Sequence, residues 1–278
     1  GRAENRALVR YLEHPLACVD ELDLADNPAV ILMDTQPGTG NNPLPLDYVP
    51  AVVIDHHPLR ELTAQAAFSE ISPHVGACST ILVEYLRAAE MNPSEKLATA
   101  LFYGIQSDTR GLSRGSSPED VEAYFYLQPL IDVGALGKIM NAQVPQDYFK
   151  SLVRTLEAVR IYRRKILFAH LGLSDYPDMA AEMADILLRL EGSQWVICVN
   201  TYNEMLVLSI RTRDEKGGAE ELARAIVCSD GTAGGHDMMA GGQIPLVGEP
   251  PADVADKLRL RILEYFNIPL EEPGQPLV

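Results

Sequence analysis

The chain has 278 residues, 47% of them hydrophobic, and carries 39 acidic side chains against 23 Lys and Arg, for a formal net charge of −16. That apolar content builds a core and excludes a disordered chain, and the length suits two domains. The acidic balance disfavours long nucleic acid as a partner but leaves short anionic substrates open, because a bound metal reverses the local sign.

In chain order, "AVILMD" (29–34) and "AVVID" (51–55) are short apolar runs ending in Asp, the pattern of buried parallel strands. The Pro-, Gly- and Asn-rich stretch between them reads as loop. "STILVEYLRAAE" predicts a helix capped by Ser79 or Thr80, and "SEKLATALFYGIQSD" a second one capped by Ser94. "SPEDVEAYFYLQPL" places Ser117 as N-cap, Pro118 at the first helical position and two acids in the first turn. One amphipathic helix is expected from Pro145 to about Arg163. "KILFAHLG" then reads as strand, 179–190 as helix, and "QWVICVNTYN" and "MLVLSIRTR" as adjacent strands joined at Asn203-Glu204. "AEELARAIVCSD" and "ADVADKLRLRILEYF" predict helices around a glycine-rich loop, "GTAGGHDMMAGGQIP", which is expected to enter a further helical turn. The fold class is therefore α/β. A parallel-sheet domain over 1–145 is joined by a connector helix, 146–163, to a smaller α/β domain over 164–278.

Cys18, Cys78, Cys198 and Cys228 form no CxxC pair, so neither a zinc site nor a disulfide framework is expected. With no signal peptide and no apolar run of about 18 residues, the expectation is a cytoplasmic protein without membrane attachment.

Ligands in open α/β sheets gather at the carboxyl ends of strands. Asp34 and Asp55 stand there, His56 and His57 extend the second strand end, and Asp108 closes an apolar helix. Carboxylates with imidazoles suit divalent metals, and two such ions activate water and clamp a phosphoryl group. Each residue also has a plainer role: Asp34 as a loop cap, Asp55 as the orienting acid of an imidazole, Asp108 as a turn acid, Arg211 as a surface charge. His14, His74 and His170 read as structural. In "TAGGHDMMAGG", the glycines before His236 permit close backbone approach to an anion, and Arg211 offers a fork for phosphate.

An Asp-His-His triplet with an upstream strand-end Asp, a downstream "SDT" and a "GGH" about 180 residues later resembles the DHH phosphoesterase superfamily. Within it, the likeness is to members with a DHH-associated C-terminal domain, RecJ-like nucleases and the oligoribonuclease/pAp-phosphatase group. The resemblance covers nearly the whole chain. It implies Asp34, His56 and Asp108 as metal ligands, Asp55 as a supporting residue and His57 as catalytic, near the metal and phosphate. It also implies Gly234, Gly235, His236 and Arg211 as the substrate-binding set, with the active site in an interdomain cleft. The implied cofactor is Mn²⁺, two ions in the intact site, with Mg²⁺ or Co²⁺ as substitutes. The implied partners are short oligonucleotides or nucleotide phosphates such as pAp, without long-duplex binding, and homodimer formation stays open. Asp237 departs from the basic or polar residue of many members, which argues against contact with a longer strand.

The family's first motif, a strand bearing Asp-x-Asp, does not precede Asp34; Asp20 and Asp23 have the wrong spacing. The expectation is that an upstream segment carrying it lies outside this sequence. The alternative is a non-catalytic nucleotide- or phosphate-binding regulatory member. A manganese pyrophosphatase is less favoured because of the GGH.

Overall fold

The computed structural model describes residues 2–13, 16–17, 24, 28–39, 41–236 and 238–278, and His236 by its backbone alone. His14, Cys18, Asp20, Asp23 and Asp237 lie outside the described residues. The chain forms two compact units, Ala3–Ala142 and Gln143–Val278, the latter with the described residue Arg2.

The first unit runs α1 (Ala3–Leu12), β1 (Ile31–Met33), β2 (Val52–Asp55), β3 (Phe68–Ile71), α2 (Cys78–Ala88), α3 (Glu95–Thr109), α4 (Pro118–Leu127) and α5 (Val133–Met140). Its strands form a parallel sheet in the order β1-β2-β3, with Leu32 beside Val53 and Asp55 beside Ile71. Ile54 packs with Val75 and Ile81 beneath it, and Val83, Leu101, Phe102, Ile105 and Leu127 close a helical core. Ser94 caps α3 by accepting from the Leu97 amide. Ser117 and Asp120 form a reciprocal capping box on α4, with Pro118 inside its first turn. α2 differs from expectation: it begins at Cys78 behind an extended Ala77 and has no side-chain cap, so Ser79 and Thr80 lie inside the helix.

The second unit runs α6 (Gln146–Ala158), β4 (Arg160–Tyr162), β5 (Ile166–Leu173), α7 (Met179–Leu187), β6 (Trp195–Tyr202), β7 (Met205–Thr212), α8 (Ala219–Val227), β8 (Thr232–His236), β9 (Met239–Pro245), α9 (Pro251–Tyr265) and β10 (Gln275–Pro276). Among the described residues these strands make a mixed seven-stranded sheet, β10-β4-β5-β6-β7-β9-β8. Alternation along β6 sends Trp195, Ile197 and Val199 to the core shared with α8 and α9, and Val196 and Cys198 to the core shared with α7. The larger sheet is thus in the C-terminal unit. The helix expected to reach residue 163 ends at Ala158, because 160–162 pair with β5 as a strand. The glycine-rich stretch expected to be loop and helical turn is instead a hairpin: β8 pairs antiparallel with β9 at the sheet edge. Asn203 and Glu204 do form the β6–β7 turn, both at positive φ. Among the described residues no helix is long and apolar enough to cross a membrane.

Candidate metal centre

β1 and β2 lie side by side, so their carboxyl ends deliver Asp34 and Asp55-His56-His57 to one place. The Asp34 amide still donates to the Ile54 carbonyl at 3.0 Å, but its backbone turns to φ +61°. An L-residue in the left-handed region stores strain, Asp tolerates it better than most, and such strain clusters at functional sites.

Asp55 is the buried anchor, 1% exposed. Its Oδ1 accepts from the His56 amide at 2.8 Å and the His57 Nδ1 at 2.8 Å, and its Oδ2 from the Gln36 Nε2 at 2.7 Å. Burial works to raise its pKa, but the hydrogen bonds from His57 and Gln36 outweigh it and hold the carboxyl below its usual range. Gln36 is wholly buried; its Oε1 accepts from the Arg60 amide and the Thr63 hydroxyl, both at 2.8 Å, tying the loop after β1 to the loop after β2.

His56 has the geometry of a ligand. Its Nδ1 lies 3.3 Å from the Val75 carbonyl, which can only accept, so that nitrogen carries the proton. Nε2 then turns its lone pair toward Asp34 Oδ1, 3.3 Å away. Two acceptors that face each other at this distance need a proton or a cation between them. Burial lowers the imidazole's proton affinity, but the hydrogen bond and charge of Asp34, the Val75 carbonyl and the charge of Asp108 together raise it above its ordinary value. The His57 ring stands T-shaped to His56 at 4.4 Å between centroids.

Asp34, Asp55, His56 and Cys78 offer ligand atoms within 4.8 Å of one another. Cys78 opens α2, so the positive end of that helix lies beside the carboxylates. Burial first, then the charges of Asp34 and Asp55, push its thiol up, and it donates weakly to the Ile54 carbonyl and Asp55. Asp108 is outside this group of four. It lines, with Asp34, Cys78 and Ser107, a cavity of about 300 Å³. Its side chain has exposed area, yet it is recessed: burial and then the charge of Asp34 push its carboxyl up to about 6. Cys78 and Gln36 were not singled out from the sequence as site residues.

The second unit holds the remaining candidates. Arg211, on β7, registers with Met239 on β9, which registers with His236 on β8, so the two candidates share one row across three strands. Arg211 is buried and engaged: Nε donates to Asp185 at 2.8 Å, and Nη1 donates to the Ser209 hydroxyl at 2.8 Å and the Ile210 carbonyl at 2.9 Å. A Cβ at Gly235 would fall 2.4 Å from the Met239 carbonyl oxygen, so glycine is needed for strand packing there. One at Gly234 would meet nothing within 4 Å.

No protein-family model matches the chain. It is 32% identical over 280 residues to an uncharacterized protein of Methanocaldococcus jannaschii, covering 98% of this chain and 57% of the relative. It is 25% identical over 224 residues to the A-adding tRNA nucleotidyltransferase of Aquifex aeolicus, covering 77% of this chain and 26% of that one. The chain therefore spans little more than half, or about a quarter, of these curated relatives. The crystal structure of an exopolyphosphatase-related protein from Bacteroides fragilis matches with a TM-score of 0.62 at 15% identity, over 77% of this chain and 63% of that one. At that identity the likeness is one of fold. The chain shares the fold of that exopolyphosphatase-related protein, with a small parallel sheet and a larger mixed one.

Proposed function

We propose that the chain is a metal-dependent phosphoesterase acting on short oligonucleotides or small nucleotide phosphates such as pAp. The observation that carries the reading is the meeting of His56 Nε2 with Asp34 Oδ1 at 3.3 Å, a contact that needs a proton or a cation between the two atoms. Asp34, His56 and Asp108 would hold the metal; carboxylate and imidazole together suit several divalent ions, and Mn²⁺ is the one the resemblance implies. When bound, the metal would supply a water nucleophile at neutral pH and neutralise charge on the phosphoryl group. Asp55 would act by orienting His57, and His57 would face the phosphoryl group, the role the resemblance implies for it. Gly234, Gly235, His236 and Arg211 form the candidate phosphate-reading set of the second unit.

Asp55 Oδ1 is already engaged by the His56 amide and His57 Nδ1, and Asp34, His56 and Asp108 alone supply too few ligands for two ions. Among the described residues β1 is an edge strand, and its Ile31 and Met33 are 60% and 41% exposed. Parallel sheets are rarely left open like this, and a strand bearing the Asp-x-Asp motif that the resemblance implies, paired to that edge, would bring carboxylates to Asp34. This shortage of ligands for two ions equally favours a second reading, a nucleotide- or phosphate-binding regulatory member without turnover.

The test is calorimetric titration of Mn²⁺ into the metal-free chain at pH 8 and pH 5.5, with pAp hydrolysis followed in parallel. Binding at pH 8 is expected, lost in His56→Ala. Affinity is expected to fall as pH drops through about 6, because Asp108 and His56, both shifted upward, must shed protons to bind. Mn²⁺ binding that is unaffected by His56→Ala would reject the ligand set; binding without hydrolysis, persisting when a strand bearing Asp-x-Asp is supplied beside β1, would select the second reading.

A further inference from the structure

We propose that Asp120 is a positioning residue for His56 and acts through a single peptide group. This rests on the reading of His56 as a metal ligand. Asp120 is the N3 residue of α4, is wholly buried, and does more than complete the capping box. Its Oδ2 accepts from the Ser117 amide at 2.7 Å and also from the Gly76 amide at 2.7 Å, while Oδ1 accepts from the Thr80 hydroxyl at 2.5 Å. The Gly76 N–H and the Val75 C=O are opposite ends of one planar peptide. Asp120 grips one end, and His56 Nδ1 donates to the other at 3.3 Å.

The consequence is a choice of tautomer. A neutral imidazole has one proton, and two acceptors compete for it: the Val75 carbonyl at Nδ1 and the Asp34 carboxylate at Nε2. A proton drawn to Asp34 would occupy the nitrogen a metal needs. The buried carboxylate polarises the peptide, strengthens its carbonyl as an acceptor and fixes its direction, and so holds the proton on Nδ1. Histidine ligands commonly donate their second N–H to a carboxylate or a carbonyl; here the carboxylate acts at one remove. Glycine at 76 is part of the device. A Cβ there would lie 2.7 Å from the Gly115 carbonyl oxygen and from Thr109 Cγ2, and 3.0 Å from Asp120 Oδ2, so only glycine lets the peptide come this close.

The experiment is ¹⁵N–¹H spectroscopy of the histidine rings in the metal-free chain, at a pH where His56 is neutral, together with Mn²⁺ affinity. Wild type is expected in the Nδ1–H form. Asp120→Ala and Gly76→Ala should shift His56 toward Nε2–H and weaken Mn²⁺ binding about 10–100-fold. Asp120→Asn, which keeps an acceptor for Gly76 and can donate to Thr80 but carries no charge, should restore both in part. Reciprocally, His56→Ala should move the Gly76 amide proton upfield, a readout that does not depend on the Asp120 variants folding. A wild-type Nε2–H form, an unmoved Gly76 amide, or folded Asp120→Ala with wild-type tautomer and affinity would each overturn the proposal. The expected tautomer shift in a chain that binds no Mn²⁺ would uphold the positioning role and reject the metal reading. Mn²⁺ binding with no tautomer shift would do the reverse.

Discussion

Asp34→Asn is expected to weaken Mn²⁺ binding by roughly 100-fold or more while leaving the metal-free protein more stable than wild type. The loss follows from removing a ligand charge, since even supporting partners of ligands cost about 10–100-fold. The gain follows from Asp108. Its carboxyl titrates at about 6 in the folded chain, raised by burial and then by the charge of Asp34. A carboxyl with a raised folded pKa contributes its stability at pH below the unfolded value, and that contribution is lost as pH rises through about 6. Wild type at pH 8 therefore carries the full penalty, and Asn at 34 lifts the Asp34 share of it. Asn also tolerates the positive φ of this position. With solvent screening at an exposed carboxyl the gain is on the order of 1 kcal/mol, about 2–4 °C in Tm for a chain of this size. Thermal melts in chelator at pH 8 and pH 4 measure it, and the difference between variant and wild type should shrink at the lower pH. Lower stability of Asp34→Asn at pH 8 would mean that Asp34 serves the fold rather than a cation.

The second large effect is expected at Arg211. Its guanidinium is almost wholly enclosed and is paired with Asp185, whose side chain is 29% exposed. Arg211→Ala should destabilise the second unit by about 2–4 kcal/mol, less than for a fully buried pair because water reaches Asp185. It should also raise KM for substrates with a terminal phosphate more than for a simple phosphodiester, with kcat little changed. Asp185→Asn separates the two roles. It loosens the carboxylate's hold on Nε, so phosphate-bearing substrates should bind as well as before or better if Arg211 reads phosphate. Equal KM losses for both substrate types in Asp185→Asn and Arg211→Ala would assign Arg211 to the fold alone.

The sequence displayed the first half of the candidate site because strand physics is local. A short apolar run ends where the sheet ends, so Asp34 and Asp55-His56-His57 could be placed at adjacent strand ends from pattern alone. The same holds for the Ser117–Asp120 helix start, where cap, proline and acids sit within four positions. Features that depend on distant partners were not legible. Cys78 reaches the cluster because α2 starts one residue before its first hydroxyl residue, and Gln36 is a buried polar group within a stretch whose composition reads only as loop. Arg211 looked available because its partner Asp185 is on another element. "TAGGH" has the composition of a loop because glycine marks turns, but Gly235 and Ala240 pack too closely for a side chain, and that need for space exists only once β8 pairs with β9. The end of α6 was misplaced for a related reason: 160–162 continue a helical pattern but gain strand pairing with β5.

The most direct measurement is the position of the metal itself, from anomalous scattering of crystals of this chain soaked in Mn²⁺ above pH 7. A peak is expected about 2 Å from both Asp34 Oδ1 and His56 Nε2, on the side of the cavity that Asp108 lines, with the His56 Nδ1 bond to Val75 intact. A well-ordered Asp34 and His56 still in direct contact with no peak between them, or a peak held by other carboxylates, would contradict it.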